Sequence, residues 1–451
     1  MSTSAILKPE GVGLDEKSYL KDLLKQCEAK NAVIETINEL RQKAVSVASE
    51  AEIPSKRDEE WRFTDLSELL QVQFQAAATT TITNNDLNAF VLPEAKASRL
   101  VFVNGFYAPE LSDVSGLPDG VYVGNLAYLP NTYHDKIVKY LAQQEGASEV
   151  FTALNTAGLT DVAVIWANPN VVVETPIHLL FLTVATDSPS FSQPRILVVA
   201  ETSSSLQFVE YYGAITQNCS DIPQNHPYFT NAVTEIWVNE NAQVNHTRIQ
   251  RESGDGFQIA KTAIAQGKDS RYTCNEISLG GKLYRHNLEV FQKGEQTTTN
   301  LNGLISITGE QLADTHSAIF LTKPYGTTDQ LHKCIIDGNA HAVFNGKVFV
   351  PKPAQLTNAA QLNRNLLLSP KARVNTKPEL QITADNVKCS HGATVSQLEA
   401  DEVFYLRSRG LSEVDARYLL VDAFAAEIIQ RIPLESLRHR LTQCVACRTV
   451  D

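Results

Sequence analysis

From about residue 96 onward the chain is written in short apolar runs separated by turn residues, which limits it to a fold built from many strands. Leu100-Val101-Phe102-Val103 precedes Asn104-Gly105, and Val162-Ala163-Val164-Ile165, Ile196-Leu197-Val198-Val199 and Glu235-Ile236-Trp237-Val238 follow the same plan. Between residues 260 and 350 glycine recurs at short intervals, from Gly267 through Gly280, Gly281, Gly294, Gly303, Gly309, Gly326 and Gly338 to Gly346. The region therefore reads as a long all-β domain without helices between its strands. Its size suits a pair of sandwiches, a propeller or a β-solenoid. No fixed repeat and no Trp-Asp or Gly-His blade signature is legible, so the residue pattern stops at a large β domain compatible with an imperfect β-helix.

Helical periodicity flanks this region. Tyr19, Leu20, Leu23, Leu24 and Cys27 form one stripe, and Val33, Ile34, Ile37, Leu40, Ala44 and Val47 form a second that stops before Pro54. Two packed helices are expected over about residues 15–50, with Cys27 in their core. After Thr394, Ser396 and Glu399 read as a capping box, and Gly410 is placed to end that helix in a left-handed conformation. A second helix follows Ser412, with Asp415 as its capping partner. Its Val414, Tyr418, Val421, Ala425 and Ile428 repeat at four and three residues, widened by Leu419, Leu420 and Phe424. So wide a face needs cover, from the last helix (Leu434, Leu437, Leu441), from a partner protein, or from both.

Composition removes several function classes. A net charge of −12 over 451 residues argues against a nucleic-acid surface, which needs clustered basic groups to displace phosphate counterions. Seven scattered cysteines (27, 219, 274, 334, 389, 444, 447) do not resemble a secreted disulfide framework, and a reducing, cytoplasmic setting is expected. The N-terminal stretch has no signal-peptide apolar core, and Glu10, Asp15 and Glu16 disfavour a transit peptide. No apolar run is long enough to span a membrane, and the Asn245-His-Thr247 sequon carries no weight outside the secretory route. Phosphate loop, dinucleotide fingerprint, zinc-protease and nucleophile-elbow motifs are all missing; Gly281-Lys282 and Gly346-Lys347 are unrelated dipeptides.

Three thiol groupings remain. Cys389-Ser390-His391 places a thiol and an imidazole on one side of a strand, roughly 6.6 Å apart, close enough to converge on one metal, and Lys388 beside the thiol would favour the ligating thiolate. Two ligands do not complete a zinc or iron-sulfur site, so unless other residues of this fold converge there the rest would come from another subunit or a substrate; the plain alternative is a structural thiol and a hydrogen-bonded histidine. His332-Lys333-Cys334 has the same spacing and reads as a strand with one wet face. Cys444-Val-Ala-Cys447, lacking a second pair, reads as a frayed tail. On the late helices, Phe404, Tyr405 and Leu406 with Arg407, Arg409 and Gly410 form an aromatic and arginine cluster beside a helix break, a composition typical of binding hot spots; Arg407, Arg409 and Arg417 could pair with a partner's carboxylates, a solvated helical face being the ordinary reading of such charges.

Val374-Asn-Thr-Lys-Pro-Glu-Leu380, Val387-Lys-Cys-Ser-His-Gly-Ala-Thr394 and Leu406-Arg-Ser-Arg-Gly410 closely resemble the C-terminal signature of the SufD branch of the SufB/SufD family, subunits of the SUF iron-sulfur cluster assembly machinery. Gln330-Leu-His-Lys333, Ala342-Val-Phe-Asn-Gly346 and Glu59-Glu-Trp-Arg-Phe-Thr64 extend the likeness, with Phe63 where the family commonly has Tyr. The match is densest over about residues 315–430. SufB-type members typically carry Glu after the matching His, where Gly392 stands, which favours the SufD branch over its closest rival.

The resemblance implies a mainly β fold with a right-handed parallel β-helix core over 96–395, between helical regions at 1–95 and 396–451. It implies a non-enzymatic scaffold that pairs with a SufB-type paralogue through the β-helix. A SufC-type ABC ATPase would dock on the C-terminal helices. Cys389 and His391 would lie near the subunit interface, where a transient iron-sulfur cluster is built, and the isolated chain would hold no cofactor tightly. A β-helix surface made for a paralogue could also self-pair into a homodimer. The competing enzyme class, a carbohydrate-active β-helix protein, is usually secreted; a plain metal-binding module would take up metal without a partner.

Overall fold

The computed structural model describes residues 16–28, 35–215 and 223–447. Glu10, Asp15, Val33, Ile34 and Cys219, used above, lie outside these residues, as do the side chains of Glu16 and Cys447.

Short strands come first: β1 (Gln75–Ala76), β2 (Arg99–Val103), β3 (Phe106–Tyr107), β4 (Val121–Asn125) and β5 (Ala163–Ala167). Next are β6 (Ile177–Thr183), β7 (Ser190–Ser192), β8 (Arg195–Ala200) and β9 (Ser205–Ala214). A regular series follows with β10 (Tyr228–Val238), β11 (Gln243–Arg251), β12 (Gly256–Gln266), β13 (Arg271–Ser278), β14 (Leu283–Gln292) and β15 (Thr298–Ile307). It ends with β16 (Leu312–Phe320), β17 (Thr327–Ile336), β18 (His341–Val350), β19 (Asn358–Leu367), β20 (Arg373–Ile382) and β21 (Lys388–Gln397).

From β8 and β9 onward each strand pairs in parallel with the strand two further along the chain, so even-numbered strands build one sheet and odd-numbered strands a second. This is a parallel β-solenoid, the fold that the resemblance implied and composition left open. One corner repeats through it. Asn170, Ser203, Asn241, Asp269, Gln296, Tyr325 and Leu356 all have left-handed φ, about 30 residues apart. Each donates its backbone N–H to a carbonyl one turn further along, as from Asn241 to Lys268 and from Tyr325 to Gln355. The first turns are closed by antiparallel pairs: β2 turns into β3 through Asn104 (φ 53°) and Gly105 (φ 84°), and β4 lies against β5. The last turn, β20 and β21, has no neighbour beyond it among the described residues.

The helices are α1 (Glu16–Glu28), α2 (Glu35–Glu50), α3 (Ser67–Leu70), α4 (Asn84–Leu87), α5 (Asn131–Ile137), α6 (Val150–Ala157), α7 (Ala400–Ser408), α8 (Glu413–Ile429) and α9 (Glu435–Cys447). The paired N-terminal helices are as expected, and Cys27 is core. Helices α5 and α6 correct the expectation of a β region free of helices. α6 is buried along its whole length, so it lacks the one-sided stripe that marks a surface helix in sequence. Helices α1, α2 and α6 and the segment from Ile53 to Phe74 cover the even sheet around Phe229, Phe257 and Leu283. The odd sheet is covered by α8 and α9, whose Val421, Ala425, Ile428, Leu437 and Leu441 pack on Ile277, Leu304, Leu331 and Leu366. The wide face of α8 is thus covered within the chain, apart from Val414 and Leu419, which stay exposed.

The Ser396–Glu399 capping box does not form. β21 runs through Ser396, whose hydroxyl donates to the Asn365 carbonyl at 3.3 Å, and α7 begins only at Ala400. Backbone pairing along β19 outweighs a local cap. Gly410 (φ 96°) does end α7 in the left-handed region, and Ser412 caps α8, accepting from the Asp415 N–H at 3.1 Å.

Candidate functional site

Strand β21 carries Cys389 and His391, stacked in register on Ala359 and Gln361 of β19. Alternation puts both side chains on the interior-facing side, at the open end of the solenoid. Cys389 is half-buried and packs against the interior core, while His391 is exposed. Burial pushes the Cys389 thiol up, contrary to the expected thiolate. Lys388, one residue away, projects to the opposite face of the strand, so sequence adjacency brings no help to the sulfur. Among the described residues no three His, Cys, Asp or Glu side chains are arranged to hold a metal ion, so Cys389 and His391 stand as two donors on one strand.

Backbone direction at this end separates the two terminal strands. Lys388 N–H bonds Thr357, so even-numbered residues of β21 face β19 and the N–H and C=O groups of Cys389, His391, Ala393, Val395 and Gln397 point away from it. Arg373 N–H bonds Ala340, so in β20 the even-numbered residues point away from β18, and one of them is Pro378. Proline removes a donor in the middle of that edge. β21 therefore offers an unbroken edge for strand addition and β20 an interrupted one.

His332 and Cys334 correct the wet-face reading of their strand. Both point into the solenoid and are buried, and the intervening Lys333, 3% exposed at its side chain, points into the cover formed by α8. Burial lowers His332 to about 4 and pushes the Cys334 thiol far up, so both are neutral near pH 7. Behind His391 the interior is polar: Gln361 donates to Gln330 at 2.9 Å, and Gln330 to Ser317 at 2.7 Å. Deeper in, Glu210 accepts from Arg248 at 2.7 Å and lies 3.0 Å from His246 Nε2, and Glu276 lies 2.8 Å from His286. Sequence reasoning passed over these groups. Charged residues placed every second position inside apolar strands were the available signal, because a strand buried on both faces is normally a continuous apolar run.

The aromatic and arginine cluster occupies a different element. Helix α7 has no buried residue; Phe404 is 72% and Tyr405 56% exposed, and Leu406 is half-buried. Arg409 lies over the Tyr405 ring at 5.3 Å, Arg407 pairs with Glu413 at 3.2 Å, and Gly410 turns the chain into α8. Cys444 and Cys447 correct the frayed-tail reading, since α9 continues to Cys447 and Cys444 packs against the apolar cover of the odd sheet. No helix among the described residues is long and apolar enough to cross a membrane.

Comparison with known proteins identifies the architecture. The family profile described as SUF system FeS cluster assembly, SufBD core domain, matches residues 181–424, and that of the SufBD protein N-terminal region matches residues 15–179. The chain is 57% identical over 410 residues to the iron-sulfur cluster assembly SufBD family protein slr0076 of Synechocystis, covering 91% of this chain and 90% of that one. It is 37% identical over 393 residues to protein ABCI7, chloroplastic, of Arabidopsis thaliana, covering 86% and 81%. Identity to the iron-sulfur cluster assembly protein SufD of Escherichia coli is 29% over 406 residues, covering 86% and 88%. A solenoid with helical flanks that matches both profiles along nearly its whole length belongs to the SufBD family of iron-sulfur cluster assembly proteins.

Proposed function

We propose that this chain is a non-catalytic, SufD-type scaffold subunit that pairs with a SufB-type paralogue at the open end of its solenoid and binds a SufC-type ABC ATPase through its C-terminal helices. The observation that carries the reading is β21: the strand with the uninterrupted free edge is the one that bears Cys389 and His391. A partner strand added there would lie beside both donors and would supply the ligands that this chain lacks. The nascent cluster would then be held transiently between subunits, with no cofactor retained by the isolated chain. Helix α7, with no buried residue and rich in aromatic and arginine side chains, supports the ATPase assignment. The absence of a phosphate loop agrees with nucleotide chemistry residing in the partner. A cytoplasmic setting belongs to the same reading.

The test is co-expression of the full chain with a SufB-type subunit and a SufC-type ATPase, followed by copurification. Both partners are expected to copurify; failure of either to associate overturns its assignment. Point changes on α7 are preferable to removing the helices, which would bare the apolar outer face of the odd sheet.

A further inference from the structure

Segment Glu59–Thr64 lies against the outer face of the even sheet and is tied to it mainly by charge. Trp61 is buried, with its ring 5.6 Å from that of Phe151, and the Arg285 guanidinium of β14 sits over the indole at 4.2 Å. Arg285 donates to the Glu60 carbonyl at 2.7 Å and pairs with Asp314 of β16, which also accepts from the Thr64 hydroxyl. His316 closes the network: its Nδ1 is 3.1 Å from Glu60 Oε2 and its Nε2 is 3.1 Å from Asp314 Oδ1.

Every charged group around the imidazole can be named. Glu60 comes from the segment, Asp314 from the histidine's own strand, and Arg285, 3.1 Å from Nε2, from the strand before it. Lys347 of β18 reaches Glu60 Oε1 at 3.5 Å, and Lys377 of β20 reaches Glu59 at 2.6 Å. The neighbours of His316 in register, Asn287 and Asn345, are uncharged. A protonated His316 presents its Nδ1–H to Glu60 and sets its positive charge beside Asp314 Oδ1. A neutral one keeps a single proton, and its free nitrogen can turn to Arg285.

We propose that residues 59–64 form a latch, held on the sheet while His316 is protonated and loosened when it is neutral, which uncovers Lys347 and Lys377 beside the open end of the solenoid. Burial works against the charged imidazole, but Asp314 and Glu60 outweigh it and raise its pKa above the ordinary 6.5. Both carboxylates are held at about 2, Glu60 chiefly by its hydrogen bond to His316 and Asp314 by Arg285 and His316 against its own burial. Their charge is constant near neutrality, and the histidine is the member of the cluster that changes. The latch energy is fully present below pH 6.5 and is lost as pH rises through the raised value.

Hydrogen-deuterium exchange on the full chain, corrected for intrinsic rates, tests this between about pH 6 and about pH 9. Protection of residues 59–64 is expected to fall several-fold across that range while β12 stays protected. In His316→Gln the step disappears, with protection already low at the acid end. Glu60→Gln removes one of the two carboxylates and moves the loss to lower pH, so it remains informative if the histidine variant folds poorly. Unchanged protection in the wild type, the same step in His316→Gln, or an unshifted midpoint in Glu60→Gln overturns the latch.

Discussion

Lys333 donates to the Phe424 carbonyl at 2.9 Å and holds its ammonium 4.2 Å from the centre of the Phe424 ring. The contact joins the outer face of β17 to α8, and Glu427 supplies the counter-charge at 2.5 Å. Burial lowers the Lys333 pKa against the pull of Glu427, so removing the carboxylate leaves a poorly compensated buried cation. Glu427→Gln is expected to cost about 1–3 kcal/mol. Lys333→Met keeps the stem and removes the charge, and should stay within about 1 kcal/mol of wild type. Urea unfolding checks the order; a larger loss for Lys333→Met would contradict it.

Phe404 and Tyr405 make few contacts within the chain, so their removal separates binding from folding. Phe404→Ala with Tyr405→Ala should leave thermal stability within about 0.5 kcal/mol of wild type. The same pair should weaken ATPase copurification at least about tenfold if α7 is the docking helix. Undiminished ATPase binding would remove α7 from the interface.

What could be read from the residues, and what could not, follows from where the signal sits. The helices α1, α2 and α8 show as stripes because one face of each is wet. The solenoid repeat is carried by backbone conformation: Asn, Ser, Asp, Gln, Tyr and Leu all occupy the same left-handed corner, so no residue type recurs for a periodicity search to find. Family resemblance supplied the fold that periodicity could not. Cys389 and His391 were legible as a pair, but the free edge beside them was not, because it depends on which backbone groups of β20 and β21 face β18 and β19. Pro378 acquires its meaning only once that parity is known. The Ser396 cap failed for the opposite reason, as a good local signal overruled by a ten-residue ladder.

Interior ion pairs make stability depend on acid. Burial would raise Glu210 and Glu276, but Arg248 and His246 hold the first at about 2, and His286 and Tyr284 hold the second at about 2. Their folded values lie below the ordinary 4.5, so their contribution is complete above that pH and is lost as pH falls toward 2. Burial also keeps His332 neutral down to about 4, which adds to the loss below pH 6.5. Glu252, raised by burial to about 7, works in the other direction between 4.5 and 7. The urea midpoint should therefore drop steeply below about pH 4.5, and Glu210→Gln should flatten that slope. A midpoint unchanged down to about pH 3 would show that these pairs contribute nothing.

Assembly and cluster formation can be separated on β21. Ala393 directs its N–H away from β19, the same relation that Pro378 has to β18 in the neighbouring strand, so a proline there removes one edge donor without touching the existing ladder. Ala393→Pro is expected to abolish copurification of the SufB-type subunit while the ATPase still associates through α7; retained pairing would exclude the β21 edge. His391→Ala changes a side chain and leaves every edge donor in place. Both partners should still copurify, and the iron and sulfide recovered with the complex should fall. Cluster yield equal to wild type would mean that His391 is not a ligand, even if the paralogue does pair along this strand.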